Sequence, residues 1–167
     1  MSNLRRALWG VALVLVALVL IANALLSNYN ARELLAGGAA SARSRDTIYA
    51  IDDLLSDLTE AETGQRGYLL TQKADYLEPY RTAAESVGTK VAALKPLLAD
   101  EPEQLERLAV LEKLVADKAG ELRRTISLID AGDAAAAMSL VATDSGMLTM
   151  RAIRQLVDDM RRCSRIR

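Results

Sequence analysis

The sequence predicts an all-α chain: an N-terminal transmembrane helix followed by an up-down-up-down four-helix bundle. Three observations predict it. Ala, Leu and Val supply most of the apolar content, Phe is absent, and only 3 Pro and 9 Gly interrupt the 167 residues. That mix favours helix over strand. Ala7–Leu26, ALWGVALVLVALVLIANALL, carries no charge, and at about twenty residues it is long enough to cross a hydrocarbon core of ~30 Å. Beyond residue 28, apolar residues recur at spacings of three and four in four stretches joined by short links. Such stripes mark amphipathic helices that bury one face against each other.

Composition excludes several kinds of chemistry. There is no His, so no His-based metal site, no Ser-His-Asp triad, no Cys-His pair and no phosphoaccepting histidine can be built. Carboxylate-bridged di-metal bundles use Glu-x-x-His pairs and are excluded on the same ground. No cofactor, metal site or enzymatic activity is expected. The formal net charge of −1 provides no basic field for nucleic acid. One Cys, Cys163, forms no internal disulfide. It reads as an inert residue near the end, or as an acylation site if that end met a cytoplasmic face.

The first element is the membrane segment at residues 7–26. Trp9 lies near one end, where an interfacial aromatic belongs. Ala22-Asn23-Ala24 resembles a signal-peptidase site, but the apolar run exceeds the usual 7–15 residues of a signal peptide. An uncleaved anchor is therefore expected, with residues 1–6 in the cytoplasm and the remainder exported across the inner (cell) membrane. Arg32, Arg43 and Arg45 rival Arg5 and Arg6, so positive charge supports this orientation only weakly. No second apolar run of that length occurs, and the chain crosses the membrane once at most.

The bundle region expected over residues 28–162 then divides into four segments. The first spans about Asn28 to Leu70, with Ile48, Ile51, Leu55 and Leu58 on one face and Gly37-Gly38 as a weak point. A turn near Gln72-Lys73-Ala74 precedes the second, where Asp75 and Glu78 fit a capping box and Pro79 falls one position late. Pro96 should kink or end it. Asp100 is expected to cap the third, with Glu103 completing the box and Pro102 in the first turn. Its stripe, Leu105, Leu108, Leu111, Val115, Ala119, Leu122, Ile126 and Ile129, is the longest in the chain. Gly132 should close it and Asp133 should cap the fourth. Asp144-Ser145-Gly146 interrupts that segment, which resumes through Leu148, Ala152, Leu156 and Met160. Residues 163–167 form a basic tail able to meet anionic headgroups.

The most unusual stretch is AETGQRGYLLT, residues 61–71. On a helical wheel the face of Ile51, Leu55 and Leu58 continues into Glu62, Gln65, Arg66 and Leu69, so a core stripe turns polar before its helix ends. Glu62 and Arg66 are spaced for an i,i+4 ion pair. Gly64 and Gly67 cost the helix roughly 1 kcal/mol each against Ala. They lie opposite, where another backbone can approach closely or a tight turn can sit. A frayed solvated end, a buried polar cluster fixing helix register and a ligand site or polar hinge all fit this pattern. Glu62, Gln65, Arg66 and Tyr68 are the candidate ligand or signalling cluster.

That stretch resembles the signature of the type 3 CHASE domain, the cyclase- and histidine-kinase-associated sensory extracellular module. Tyr76-Leu77-Glu78-Pro79-Tyr80, the Leu-rich third helix, Leu128–Asp133 and Met150-Arg151-Ala152-Ile153-Arg154 resemble further blocks of it. The likeness covers most of residues 30–162. It implies an exported four-helix sensory domain that serves a histidine kinase, cyclase or chemotaxis-type receptor, and it names a role without naming a ligand. It also implies a second membrane helix and an output domain, in whose place the chain reads RRCSRIR; a receptor lacking both is the expectation. Partners would be membrane lipid, a second copy in a homodimer, an unidentified small-molecule or protein ligand, and a signalling protein carrying the output. The competing expectation is a non-sensing, membrane-tethered helical interaction protein or receptor remnant.

Overall fold

The computed structural model describes the backbone of residues 2–165 and the side chains of residues 18–29, 38 and 41–165. Among the described residues there are five α-helices and one 3-10 turn: α1 Ser2–Thr71, the 3-10 turn Ala74–Leu77, α2 Glu78–Leu97, α3 Pro102–Asp130, α4 Ala134–Val141 and α5 Ser145–Arg165. No strand occurs among the described residues, so the chain is all-α.

The chain divides into two compact units, Met1–Ala42 and Arg43–Arg167. In the first, the described side chains of Leu18, Val19, Leu20, Ile21, Leu25 and Leu26 are all exposed. Among the described residues no helix is long and apolar enough to cross a membrane. Residues 7–17, the larger part of the expected membrane segment, lie outside the described side chains.

In the second unit one core is shared by the Arg43–Thr71 part of α1 and by α2, α3 and α5. Ile51, Leu54 and Leu58 meet Val91, Leu94 and Leu98, then Leu108, Leu111 and Val115, then Met150, Ile153, Val157 and Met160. Cross-helix bonds fix the directions. Ser86 bonds to Asp57 and Lys90 pairs with Asp53, so α2 runs antiparallel to α1. Gln104 donates to the Met160 carbonyl (3.0 Å) and Lys118 to that of Gly146 (3.4 Å), so α5 runs antiparallel to α3. Glu62 meets Lys118 and Tyr68 meets Asp130, so α3 runs parallel to α1.

Helix ends follow the local chemistry with two corrections. Asp100 does not cap α3. Glu101 takes that position without a side-chain capping bond to the helix, and the Asp100 carboxylate pairs with Arg43 instead. With Pro102 as first helical residue, one orphan N–H is already gone and the cap has less to satisfy. The Asp75/Glu78 box is likewise unformed. Residues 74–77 wind as a 3-10 turn, Leu77 sits at the cap position and Pro79 falls in the first turn of α2. Pro96 stands inside the last turn, where it lacks an N–H for the ladder, and α2 ends one residue later at Leu97.

The α3–α4 corner forms as expected. Gly132 has φ +80°, the Asp133 N–H reaches the Leu128 carbonyl, and the Gly132 N–H reaches that of Ile129. This is the glycine-closed helix end in which left-handed backbone satisfies two orphan carbonyls. The Asp133 carboxylate then accepts from the Ala136 N–H at 2.9 Å. Asp144, at φ +58°, separates α4 from α5, so the fourth predicted segment is two helices.

Candidate functional site

The inner stripe of α1 is Ile51, Leu54, Leu58, Ala61, Glu62 and Gln65, all buried. Most steps are three or four, the spacing of one helix face turned to a core. The buried face centres on Leu54, which is fully inward, and leaves Leu55 only partly covered. It also corrects the wheel expectation for Arg66, whose side chain is 61% exposed. Glu62 and Gln65 enter the core, while Arg66 stands at its rim.

A carboxylate in a core needs a partner, and Glu62 has a buried one. Lys118 Nζ donates to Glu62 Oε1 at 2.9 Å, to Glu121 Oε2 at 2.8 Å and to the Gly146 carbonyl at 3.4 Å. Its side chain is 2% exposed. All three ammonium donors are thereby used, and α1, α3 and α5 are joined at one atom. Arg66 adds a looser contact to Glu62 Oε1 at 3.3 Å. Gly146 lets α5 come close: a Cβ there would lie 2.7 Å from the Glu121 carboxylate. The amide nitrogen of Gln65 is buried with no hydrogen-bond partner among the described residues.

The two glycines of the motif meet the turn before α2. A Cβ on Gly64 would lie 2.4 Å from the Tyr76 carbonyl oxygen, and one on Gly67 2.4 Å from the Tyr76 ring. Tyr68 points elsewhere than Glu62. Its hydroxyl donates to Asp130 at 2.5 Å, and that bond, with burial and the carboxylate charge adding, raises the phenol above its ordinary value.

Beside the polar cluster lies a cleft of about 300 Å³, lined by Glu62, Arg66, Met147, Met150, Arg151 and Arg154. Of the four candidate residues, Glu62 and Arg66 reach it; Gln65 and Tyr68 do not. A second hollow of about 360 Å³ runs along Leu58, Ala83, Val87 and Leu122 and is apolar apart from residues such as Arg123 at its edge. Sequence reasoning missed Lys118, Glu121, Arg151 and Arg154. Lys118 had a visible signal: it continues the α3 stripe from Leu111 and Val115 toward Leu122, where an aliphatic residue belongs. Among the described residues no cluster of three or more His, Cys, Asp or Glu is placed to hold a metal ion.

The helical arrangement is similar to the crystal structure of the sensor domain of histidine kinase HK9 from Rhodopseudomonas palustris. The TM-score is 0.67 at 24% identity, covering 73% of this chain and 95% of that one. At that identity the likeness is one of fold. No curated protein matches the chain. The family model for the CHASE3 domain matches residues 38–167, the span that holds the polar cluster, the cleft and the glycine contacts. The chain belongs to the CHASE3 domain family.

Proposed function

We propose that the chain is the membrane-anchored, extracytoplasmic signal-input domain of a bacterial signal-transduction receptor such as a sensor histidine kinase. It is an up-down-up-down four-helix bundle that acts as a homodimer and has no catalytic step of its own. CHASE3 membership supports the sensory role, and the exposed apolar side chains from Leu18 to Leu26 support an anchor in lipid. The observation that carries the reading is the cleft beside Glu62. There a buried ion cluster spanning three helices lies next to an open, polar-lined space. A ligand in that space would act on groups that tie α1 to α3 and α5, and small helix shifts at an interface are how such bundles transmit a signal. The ligand is a small molecule or protein met outside the cell, and the signal passes to a kinase-type partner.

The test is disulfide mapping in native membranes. Single cysteines placed along residues 28–45 of the full chain, with Cys163→Ser, crosslink two copies with maxima every three to four positions. Uniform failure to crosslink rejects the dimeric sensor. Cysteine at exposed Ser139 reacts with a membrane-impermeant maleimide in intact cells; protection until lysis rejects the outward placement.

A further inference from the structure

We infer that the cleft between α1 and α5 is a binding site for a small di- or polyanion, a dicarboxylate or phosphate in chemical class, gripped by Arg66, Arg151 and Arg154. The inference deepens the sensory reading and rests on it.

Three arginines line this one cleft, and Glu62 lines it with them. That carboxylate is already engaged by Lys118 at 2.9 Å. Arg66 touches it through a single nitrogen at 3.3 Å. Arg151 and Arg154 form no ion pair among the described residues, and both are exposed. They are spaced i,i+3 on one helix, neighbours on one face, where like charges repel. The chain as a whole is slightly acidic, and cations such as Lys90 and Arg161 are answered by carboxylates, Lys90 by Asp53 and Asp57 and Arg161 by Asp52 and Asp158. Here the surplus has no such answer.

The geometry suits an anion of limited size. Guanidinium groups present flat forks of N–H donors that match the two oxygens of a carboxylate or phosphate. Met147 and buried Met150 supply an apolar wall, where displaced water strengthens each charged hydrogen bond. Met147 also stands in the first turn of α5, a helix of 21 residues, whose N-terminal end is positive. A volume of about 300 Å³ lies at the small end of ligand pockets. That admits a compact metabolite and excludes a peptide or polymer. An anion that drew Arg66 toward α5 would leave Glu62 to Lys118 alone, so occupancy of the cleft changes the balance of the buried cluster.

The full chain in neutral detergent is titrated with succinate, citrate or inorganic phosphate at fixed ionic strength, reading the melting temperature and the heat of binding. At least one of the three raises the melting temperature by several degrees in a saturable way. Arg151→Ala and Arg154→Ala each weaken that binding about tenfold or more, whereas Arg123→Ala at the apolar hollow leaves it intact. Both sites are exposed, so the unliganded melt hardly moves. Arg151→Gln and Arg154→Gln replace the alanines should either variant lose its fold. No saturable shift with any anion, an equal shift with all of them, or a shift indifferent to Arg151 and Arg154 overturns the inference. A shift produced only by phosphatidylglycerol in the micelles also overturns it, since the ligand would then be a lipid headgroup. The crosslinking pattern along residues 28–45 needs no anion, so the sensory reading and this inference fail separately.

Discussion

Lys118 Nζ lies 2.9 Å from Glu62 Oε1, and the two side chains are 2% and 9% exposed. An ion pair so deep draws little net stability from its attraction, because removing both charges from water costs several kcal/mol each. Its weight shows when one partner is lost. Lys118→Met leaves Glu62 and Glu121 facing each other with only the rim contact of Arg66 to Glu62, and should cost about 3–5 kcal/mol in urea unfolding. The double variant Glu62→Leu with Lys118→Met should recover much of that loss. A Lys118→Met stability within about 0.5 kcal/mol of the parent, the range of ordinary surface changes, would show that the pair is not buried as described.

Gly64 and Gly88 are both helical glycines with opposite surroundings. The Cβ of Gly64→Ala would lie 2.4 Å from the Tyr76 backbone oxygen, whereas that of Gly88→Ala would meet nothing within 4 Å. Backbone cannot swing aside as a side chain can, so Gly64→Ala should destabilise by about 1–3 kcal/mol. Gly88→Ala should stabilise by roughly 0.5–1 kcal/mol through helix propensity alone. Thermal melts of the pair decide it, and equal shifts of the same sign would refute the close approach.

Asp57 carries a pH prediction. Burial pushes its carboxyl up, but hydrogen bonds from Lys90 and Ser86, with the Lys90 charge, outweigh burial and hold it below its ordinary 3.8. A lowered folded value means the stabilisation is present above the unfolded value and is lost as pH falls through the lowered folded one. The stability difference between parent and Asp57→Asn should therefore be full near neutrality and shrink only below about pH 4. For Lys90, burial pulls down but its two aspartates raise it above 10.5. Its contribution holds below that value and is lost as pH climbs through the raised one. Denaturant midpoints from pH 2 to pH 7 test the acid arm. A difference between parent and Asp57→Asn that stays constant over that range would sink it.

Asp133 and Asp100 stand before successive helix starts in sequence, yet only Asp133 bonds to its helix. Asp133→Ala should cost about 1 kcal/mol, the usual worth of such a cap. Asp100→Ala loses only an exposed pair with Arg43 and should change stability by less than about 1 kcal/mol. Equal losses would mean that Asp100 caps after all.

Much of this was legible in the chain itself. The three-and-four stripe of α3, the glycine stop at Gly132, the Asp133 cap and the break at Asp144 are local, because each depends on backbone geometry within a few residues. The AETGQRGYLLT stretch announced a core stripe turning polar, and the family followed from it. Two features of α1 were not legible. An isolated wheel places Arg66 inside, but the packing of α1 against its neighbours gives the core positions to Glu62 and Gln65 and leaves Arg66 at the rim. The partner of Glu62 was hidden for a different reason: Lys118 is 56 residues away, and no local rule pairs a charge on one helix with a charge on another.

The sequence by itself determined that this chain is helical, where its breaks fall, which family it belongs to, and that His-based chemistry is impossible. Those properties reside in residue type and short-range spacing. Only the tertiary structure decided that Glu62 is held by Lys118, that Tyr76 fills the space beside Gly64 and Gly67, and that Arg66 shares a cleft with Arg151 and Arg154. Such pairings arise when helices far apart in sequence settle into register. Register is set by the summed fit of all their buried faces, a quantity that no single segment contains.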